Sequence, residues 1–342
     1  MNAAAFHAKP ETSVQRQEFY RRLGNNNAAP LWEVLGQIIT PEPRPASLPV
    51  VWHYEEVRQL LMESGTLISA EEAERRVLML LNPGLRGASQ ITQSLYAGLQ
   101  LVMPGEITPS HRHSAAALRF VIEGEGAYTT VNGERVTMRP GDFILTPSWT
   151  HHNHGNPSSK PVVWLDGLDI PIVNGFDASF AEHPEATQPT VDEGANLVPL
   201  DSRPERLAIP VFSYPYSRSL QALEHMRATS PLHPSHGIKM QFINPATGGY
   251  SMPTIGAFLQ LLPAGFHGAS YRSTDATVFC VAEGRGRSLV GENSFEWVEH
   301  DIFVVPSWCP VTHEARQESV LFSFSDRPAQ KALGLWREDA SR

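Results

Sequence analysis

Short apolar runs separated by turn residues dominate the chain after residue 77. The runs LRFVIEG, DFILTP and VVWLDGL are followed or preceded by turn signals such as Pro-Gly, Asn-Gly and Gly-Glu-Gly. Runs of this length and spacing are typical of an antiparallel sandwich or a small barrel. The pattern therefore predicts an all-β domain over residues 77–170, and the same texture predicts a second one over residues 231–326.

The segments outside these two regions have a different pattern. The runs EFYRRL and PLWEVLGQII have helical spacing, and Ser69 followed by Glu72 forms a capping box that predicts a short helix through Arg76. We therefore expect residues 1–76 to form an N-terminal helical arm. Residues 171–230 are rich in Pro, Asp and Glu around the helical patch SLQALEHM, which predicts a linker with a helix, and residues 327–342 form a tail.

The two β regions are copies of one sequence. LQLVMPGEITPSHRHSAAALRFVIEGEG begins at Leu99, and LQLLPAGFHGASYRSTDATVFCVAEGRG begins at Leu259, an offset of about 160 residues. A period this long indicates a duplicated domain rather than stacked small repeats. Three histidines of the first copy have no counterpart in the second: His111, His113 and His152 align with Tyr271, Ser273 and Val311.

Composition and charge narrow the function. The 342 residues are 41% hydrophobic and 18% charged, enough for two cores, and the net charge of -9 argues against nucleic acid or an anionic membrane as partner. Two cysteines, Cys280 and Cys309, are too few for a disulfide framework and are expected to be reduced thiols. Because no run approaches about 20 apolar residues and the N-terminus lacks a signal-peptide core, we expect a cytoplasmic protein.

The histidine pattern predicts a metal site. His111 and His113 are two residues apart, so both side chains project from one face of a strand. His152 follows the next turn region, where another strand can bring it beside them. Three neutral nitrogens with open positions are typical of a catalytic metal site, whereas a structural site normally closes with four ligands. The spacing is compatible with iron and with zinc.

The surrounding residues resemble the two motifs of the cupin family. The matching positions are Gly105, His111, His113 and Gly124 in the first motif, and Gly141, Pro147, His152 and Asn156 in the second. Two positions depart from the pattern: the usual glutamate ligand is Ala117, and an internal glycine is Trp149. A divalent ion with only neutral ligands keeps its full charge, which favours an anionic, chelating substrate.

Longer stretches resemble the bicupin ring-cleaving dioxygenases typified by gentisate 1,2-dioxygenase. They include PLWEVLGQIITPEP, ISAEEAERRVLMLLNPGL, PSWTHHNHGN and INPATGGYSMPTIGAFLQLL. The resemblance implies two antiparallel jelly-roll barrels, one Fe(II) per chain, a homotetramer, and conversion of gentisate and O2 to maleylpyruvate. The family often has Trp at the positions of Tyr96 and His151, so 1-hydroxy-2-naphthoate and salicylate are alternative substrates.

Strand parity assigns further residues to the pocket. Arg119 shares the inward face with His113, and its guanidinium is expected to bind a substrate carboxylate. His154 faces the same cavity as His152, so it is a candidate to hydrogen-bond the substrate or relay a proton. On neighbouring strands, Gln100 is expected to bind a ring hydroxyl, Tyr96 to line the ring and Asp166 to orient a histidine or arginine.

Some of these positions also fit a role in the scaffold. His313 and Gln260 repeat His154 and Gln100 in the copy without the triad. His151 has the opposite parity and is expected to be structural. Either Arg75 or Arg76, at the exit of the capped helix, is a candidate to close the pocket.

Two other classes of function are compatible with a cupin barrel. One is a metal-dependent isomerase or hydrolase with zinc, manganese or nickel, and metal analysis with oxygen consumption separates it from a dioxygenase. The other is a non-catalytic bicupin for storage or ligand binding. The loss of the triad from one copy argues against the second class, because a purely structural protein has no reason to keep one polar site and lose the other.

Overall fold

The computed structural model describes residues 13–183, 191–192, 212–245 and 247–340. The chain separates into two compact units, Met1–Arg44 and Pro45–Arg342. Helices in these described ranges are α1 (Val14–Asn25), α2 (Leu31–Ile38), α3 (Tyr54–Leu67), α4 (Ala70–Ala73), a 3-10 turn (Pro83–Leu85), α5 (Ile170–Gly175), α6 (Tyr216–Thr229) and α7 (Arg327–Ala332). None of them is both long and apolar enough to cross a membrane.

The first unit contains α1 and α2. The Ser13 hydroxyl accepts a hydrogen bond from the Arg16 backbone N–H (3.3 Å), which caps the start of α1. The Arg16 guanidinium pairs with Glu33 of α2 (2.6 Å), and the Tyr20 hydroxyl donates to the same carboxylate (2.7 Å). These bonds join the two helices.

The second unit contains the strands. In chain order they are β1 (Val50–Trp52), β2 (Val77–Met79), β3 (Tyr96–Val102), β4 (Arg112–His113), β5 (Ala117–Glu123), β6 (Tyr128–Val131), β7 (Glu134–Thr137), β8 (Phe143–Thr146), β9 (His152–Gly155), β10 (Val162–Leu168), β11 (Ala181–Glu182), β12 (Val191–Asp192), β13 (Ser213–Tyr214), β14 (Ile238–Gln241), β15 (Gly256–Leu262), β16 (Tyr271–Ser273), β17 (Thr277–Glu283), β18 (Arg285–Val290), β19 (Asn293–Val298), β20 (Ile302–Val305), β21 (Val311–Ala315), β22 (Ser319–Ser325) and β23 (Glu338–Ala340).

These strands form two barrels of matching design. In the first, a six-stranded sheet (β13-β8-β5-β10-β3-β2) faces a four-stranded sheet (β12-β7-β6-β9), with β4 paired to β11. In the second, a six-stranded sheet (β1-β20-β17-β22-β15-β14) faces a five-stranded one (β19-β18-β21-β16-β23). Apart from β12 with β7, the strand pairs are antiparallel. The predicted all-β bicupin fold is confirmed.

The two six-stranded sheets share one core, and this fixes which side chains turn inward. On β5, Leu118 and Phe120 belong to the core shared by both barrels, and the Phe120 ring stacks on Phe322 at 4.3 Å. The alternate residues Arg119 and Val121 face the inside of the first barrel. The shared core therefore sets the parity that brings polar residues into the barrel.

The structure corrects the predicted helix end at Arg76. The Ser69 hydroxyl accepts from the Glu72 N–H (3.1 Å) as predicted, but α4 ends at Ala73. Glu74 has φ of 51°, a left-handed conformation that an L-residue cannot continue as a helix. The two arginines after it therefore lie outside the helix, directly before β2.

The other segments contain more regular structure than the sequence predicted. The segment predicted as a helical arm also supplies β1, which pairs with β20. The predicted linker contains α6 at the predicted helical patch and, in addition, α5, β11 and β13; part of that linker lies outside the described residues. The predicted tail forms α7 and β23, which pairs with β16. The domain boundaries given above stay predictions.

Candidate metal centre

Three histidines from two neighbouring segments meet inside the first barrel. His111 and His152 form an antiparallel bridge, with backbone N–H to O distances of 3.1 and 2.9 Å. His113 lies on β4, two residues further along. One ring nitrogen from each of the three can be chosen so that all lie within 4.8 Å of one another. The structure thus brings the predicted triad together.

Backbone contacts orient these rings. The Nδ1 of His113 lies 2.7 Å from the Ala115 carbonyl, and the Nδ1 of His152 lies 3.0 Å from the Thr150 carbonyl. A carbonyl only accepts, so each Nδ1 carries the proton and each Nε2 lone pair is free to coordinate. The Nε2 of His111 is buried and has no partner among the described residues. A buried polar atom without a partner is the observation expected of a ligand atom.

Burial also keeps the three rings neutral. It lowers the pKa of His111 to about 2, with a further contribution from the nearby Arg75. Burial is the main cause of the lowered pKa of His113 and of the strongly lowered pKa of His152 as well. Metals bind the neutral form of imidazole, so burial favours the charge state of these rings that a metal ion requires.

The described residues place no carboxylate in this group. Ala117 occupies the position of the usual glutamate ligand and is 1% exposed. Asp166, the carboxylate that the sequence predicted to orient a histidine or an arginine of the pocket, pairs with Arg119; its Oδ1 lies 3.5 Å from the Arg119 Nε. The donor set is therefore three neutral nitrogens.

Arg119 lies inside the barrel, as its strand parity predicted. It is 3% exposed, its Nη1 donates to the Thr146 hydroxyl (2.5 Å), and its Nε has no hydrogen-bond partner in the described structure. Burial lowers the pKa of Arg119, while Asp166 raises it. Burial raises the pKa of Asp166 to about 6. The guanidinium keeps free donors beside the triad.

The structure also separates the two adjacent arginines. The Arg75 guanidinium contacts the Nδ1 of His111, and burial followed by repulsion from Arg119 lowers its pKa to about 10. Arg76 turns away and pairs with Glu106 (2.8 and 2.9 Å). Arg75 is therefore the residue that faces the site, and with Arg119 it gives the pocket two cations.

Gln100 and Tyr96 lie on the inward face of β3. The Gln100 side chain is 2% exposed, and its amide nitrogen has no partner among the described residues. Burial raises the pKa of Tyr96. Gly98, between them on the same face, is tightly enclosed: an added Cβ would lie 2.6 Å from Val77 Cγ1 and 2.9 Å from the Tyr96 hydroxyl.

His154 is buried next to the triad. Its ring centroid is 5.8 Å from that of His152, and its Nδ1 lies 2.6 Å from the Thr129 hydroxyl. The second barrel repeats this pair with His313 and Ser288 (2.8 Å), although it lacks the triad. The repeat indicates that the scaffold itself fixes the ring, and the predicted contact of His154 with substrate stays a prediction.

Two features of the site were missed by the sequence reasoning. Trp164 is fully buried and donates from Nε1 to Asp166 (2.9 Å). Trp164 lies two residues before Asp166 on β10, so strand alternation could have predicted that both side chains share the inward face. The second feature is a strap: β11 pairs with β4, and Arg112 binds Glu182 (2.5 and 2.9 Å). That contact spans 70 residues, and no local pattern predicts it.

Trp149 explains one departure from the cupin motif. It has φ of 62°, the left-handed conformation that a glycine normally supplies at this position. The Arg112 guanidinium stacks over the Trp149 ring at 4.5 Å. The backbone N–H of Trp149 donates to the His113 carbonyl (2.8 Å). These contacts offset the strain, which is about 1–2 kcal/mol.

Fold and site together define a bicupin with one three-histidine centre in the described part of the chain. A cupin domain model matches residues 98–168, the region that carries the triad. Over 98% of this chain and 99% of the relative, the sequence is 53% identical to gentisate 1,2 dioxygenase 1 of Aquipseudomonas alcaligenes. It is 35% identical to a Comamonas 5-aminosalicylate 1,2-dioxygenase, over 92% of this chain and 87% of that one.

Solved structures of ring-cleaving dioxygenases have the same fold as this chain. The salicylate 1,2-dioxygenase of Pseudaminobacter salicylatoxidans superimposes with a TM-score of 0.91 at 34% identity, covering 97% of this chain and 99% of that one. A structure of that enzyme with gentisate adducts has a TM-score of 0.89, with 97% and 96% covered. The chain belongs to the gentisate 1,2-dioxygenase family of bicupin ring-cleaving dioxygenases. The predicted family is confirmed.

Proposed function

We propose that this protein is an Fe(II)-dependent dioxygenase that converts gentisate and O2 to maleylpyruvate. The observation that carries the proposal is the combination of a carboxylate-free triad with the buried Arg119 and the half-buried Arg75 in a chain 53% identical to a gentisate dioxygenase. The predicted alternatives, 1-hydroxy-2-naphthoate and salicylate, are the substrates that the activity comparison below ranks against gentisate.

The residues fit one divalent metal ion. His111, His113 and His152 would hold it, since their rings are neutral and close together. When bound, Fe(II) would supply open coordination positions for a chelating acid and for dioxygen, and electron transfer between them. Zinc offers no redox chemistry, so the proposed reaction favours iron over it.

The protein's own residues would bind and orient the acid. Arg75 and Arg119 give the pocket a positive potential that attracts a carboxylate. The Arg119 guanidinium, whose Nε has only a 3.5 Å ion pair with Asp166, and the Gln100 amide nitrogen, which has no partner among the described residues, would donate to substrate oxygens. Asp166 offsets part of the charge of Arg119 and limits the freedom of its guanidinium.

The wall of the pocket would hold the ring and exclude water. Tyr96 lies on the inward face beside Gly98, whose missing side chain leaves room for the tyrosine hydroxyl. His154, held at Nδ1 by Thr129, would keep its other nitrogen available for a proton or a substrate oxygen. Closing the pocket in this way strengthens each charged contact inside it.

Substrate electronics decide which acid reacts fastest. Gentisate and salicylate both chelate through a carboxylate and an ortho hydroxyl. Gentisate alone has a second hydroxyl para to the first, which pushes electron density into the ring and eases oxidation. We therefore expect gentisate to turn over much faster than salicylate.

The test uses the apoprotein reconstituted anaerobically with Fe(II) or with zinc. Gentisate, salicylate and 1-hydroxy-2-naphthoate are added in turn with air, and kcat/KM is measured from oxygen uptake and product absorbance. Activity with iron alone, and gentisate first in rank, is the expected result. Activity with zinc would contradict the iron proposal, and a kcat/KM for salicylate equal to that for gentisate would contradict the substrate proposal.

We also propose the homotetramer that the family resemblance predicted. Large apolar side chains of α2 are exposed, with Trp32 at 60% and Ile38 at 65%, and an exposed apolar face of this kind is typical of an interface between subunits. Light scattering of the purified protein would measure the mass directly, and a monomer would contradict the proposal. The cytoplasmic location stays a prediction.

A further inference from the structure

We propose that the second barrel binds a small monovalent inorganic anion, of the size of chloride or bromide, at Lys239. The site is a cavity in the half of the molecule that lost the histidine triad. Among the residues that line it are His236, Lys239, Asp275, Phe279, His313 and Arg327. Nothing in the proposed dioxygenase reaction uses this barrel, so the inference is independent of the proposed function.

Lys239 is a cation without a counter-ion. Its ammonium lies over the rings of Phe258 (5.0 Å) and Phe279 (5.6 Å), and no carboxylate of the described residues is within 4 Å of it. The neighbouring Arg327 already pairs with Asp275 (Nε to Oδ2 3.1 Å). The cavity therefore carries one excess positive charge when Lys239 is protonated, although Asp275 also attracts that charge. Burial, then repulsion from Arg327, lowers the pKa of Lys239 to about 7, and an anion would offset both costs.

The lysine is specific to the second barrel. Lys239 on β14 lies opposite Gln260 on β15, and the corresponding pair in the first barrel is Val77 opposite Gln100. Phe279 stands at the repeat position of Arg119. The second barrel thus has a cation of its own. It lies on β14, whereas Arg119 of the first barrel lies on β5. Loss of the metal site alone does not explain why the second barrel has a buried lysine where the first barrel has Val77.

Unpartnered polar atoms lie on the same inner face. Gln260 is 0% exposed, and neither its amide nitrogen nor its amide oxygen has a hydrogen-bond partner in the described structure. The Ser323 hydroxyl, on a residue paired with both Phe258 and Phe279, is also buried without a partner. Buried polar groups are almost always satisfied by protein, water or an ion. Gln260, opposite Lys239, and Ser323 therefore add an amide N–H and a hydroxyl donor to the inner face that carries Lys239.

The size of the cavity limits the ligand. The space open to a water-sized group is about 20 Å³, and one such group needs about 10–15 Å³. This space excludes an aromatic acid and limits the occupant to one small ion or one water molecule. The histidines add no charge of their own, because burial lowers the pKa of His236 to about 2 and of His313 to about 3.

Crystals soaked in bromide and thermal unfolding in solution test the proposal together. We expect an anomalous bromide peak beside Lys239. We also expect 200 mM chloride to raise the Tm of the full chain by about 2 °C over gluconate at equal ionic strength, the shift for a dissociation constant of about 20 mM. Lys239→Met should abolish this chloride-specific rise, and Lys160→Met, at an exposed lysine of the first barrel, should keep it.

Three outcomes would overturn the inference. One is the absence of a bromide peak in the second barrel, which would leave water as the occupant. Another is a peak without a chloride-specific rise in Tm, which would mean an adventitious ion only. The third is an equal rise in Lys239→Met. Because the first two are measured on the wild-type chain, the proposal stays testable if the variant does not fold.

Discussion

Replacing Arg119 by leucine should weaken acid substrates without removing the metal. Arg119 is 3% exposed and faces the inside of the first barrel, and its Nε has an ion pair with Asp166 at 3.5 Å but no hydrogen bond in the described structure. Leucine fills a similar volume but offers no donor and no charge. The substitution therefore removes the proposed carboxylate contact and leaves His111, His113 and His152 in place.

The expected loss follows from the burial of the group. A hydrogen bond to a charged partner contributes about 1.5–3 kcal/mol, and the upper half of this range applies to a dry, forked contact. A loss of about 2–3 kcal/mol corresponds to a decrease in kcat/KM of roughly 30- to 150-fold. Asp166 would lose its cation, so its pKa, now about 6, would rise and the neutral carboxyl would be favoured. That protonation limits the cost in stability.

The assay measures kcat/KM for gentisate together with iron content and Tm. Arg76→Leu is the matched control, because Arg76 is equally buried but pairs with Glu106 away from the site. We expect that variant to lose stability while it keeps its kcat/KM. Wild-type kcat/KM in Arg119→Leu, or loss of its iron, would refute the reasoning that this side chain binds substrate.

Three further predictions concern Asp166, Gly98 and Phe120. Because the pKa of Asp166 is raised to about 6 from about 4 in the unfolded chain, its contribution to stability is full below pH 4 and is lost as pH rises through 6. Urea unfolding between pH 4 and 7 should show that slope in wild type and lack it in Asp166→Asn. Gly98→Ala should push on the Tyr96 hydroxyl and change the ratio of kcat/KM for gentisate and salicylate, with iron content unchanged. Phe120→Ala should lower the unfolding free energy by about 3–5 kcal/mol in urea titrations, because it removes a stacked ring from the shared core.

The sequence predicted the parts of the site that follow strand parity. The i and i+2 spacing of His111 and His113 placed both on one face, and the six-residue spacing to Arg119 predicted its inward side chain, which the structure confirms. The repeat predicted two barrels of one design. These inferences succeed because a strand alternates strictly between two faces once the shared core fixes one of them.

Contacts between segments that are distant in the sequence could not be predicted from it. The helix exit was predicted at Arg76, but the left-handed Glu74 ends the helix earlier and turns Arg75 toward His111. The strap formed by Arg112 and Glu182 joins residues 70 positions apart. Neither contact has a periodic signature, since both depend on how loops of the folded barrel pack.

Anaerobic titration of the apoprotein with Fe(II) tests whether one iron ion, held by the histidine triad, supports the reaction. Bound iron and the rate of oxygen uptake with gentisate are measured together at each addition. The account predicts that both saturate at one equivalent per chain and that His113→Ala neither binds tightly nor reacts. Saturation at two equivalents, or full activity in His113→Ala, would contradict it.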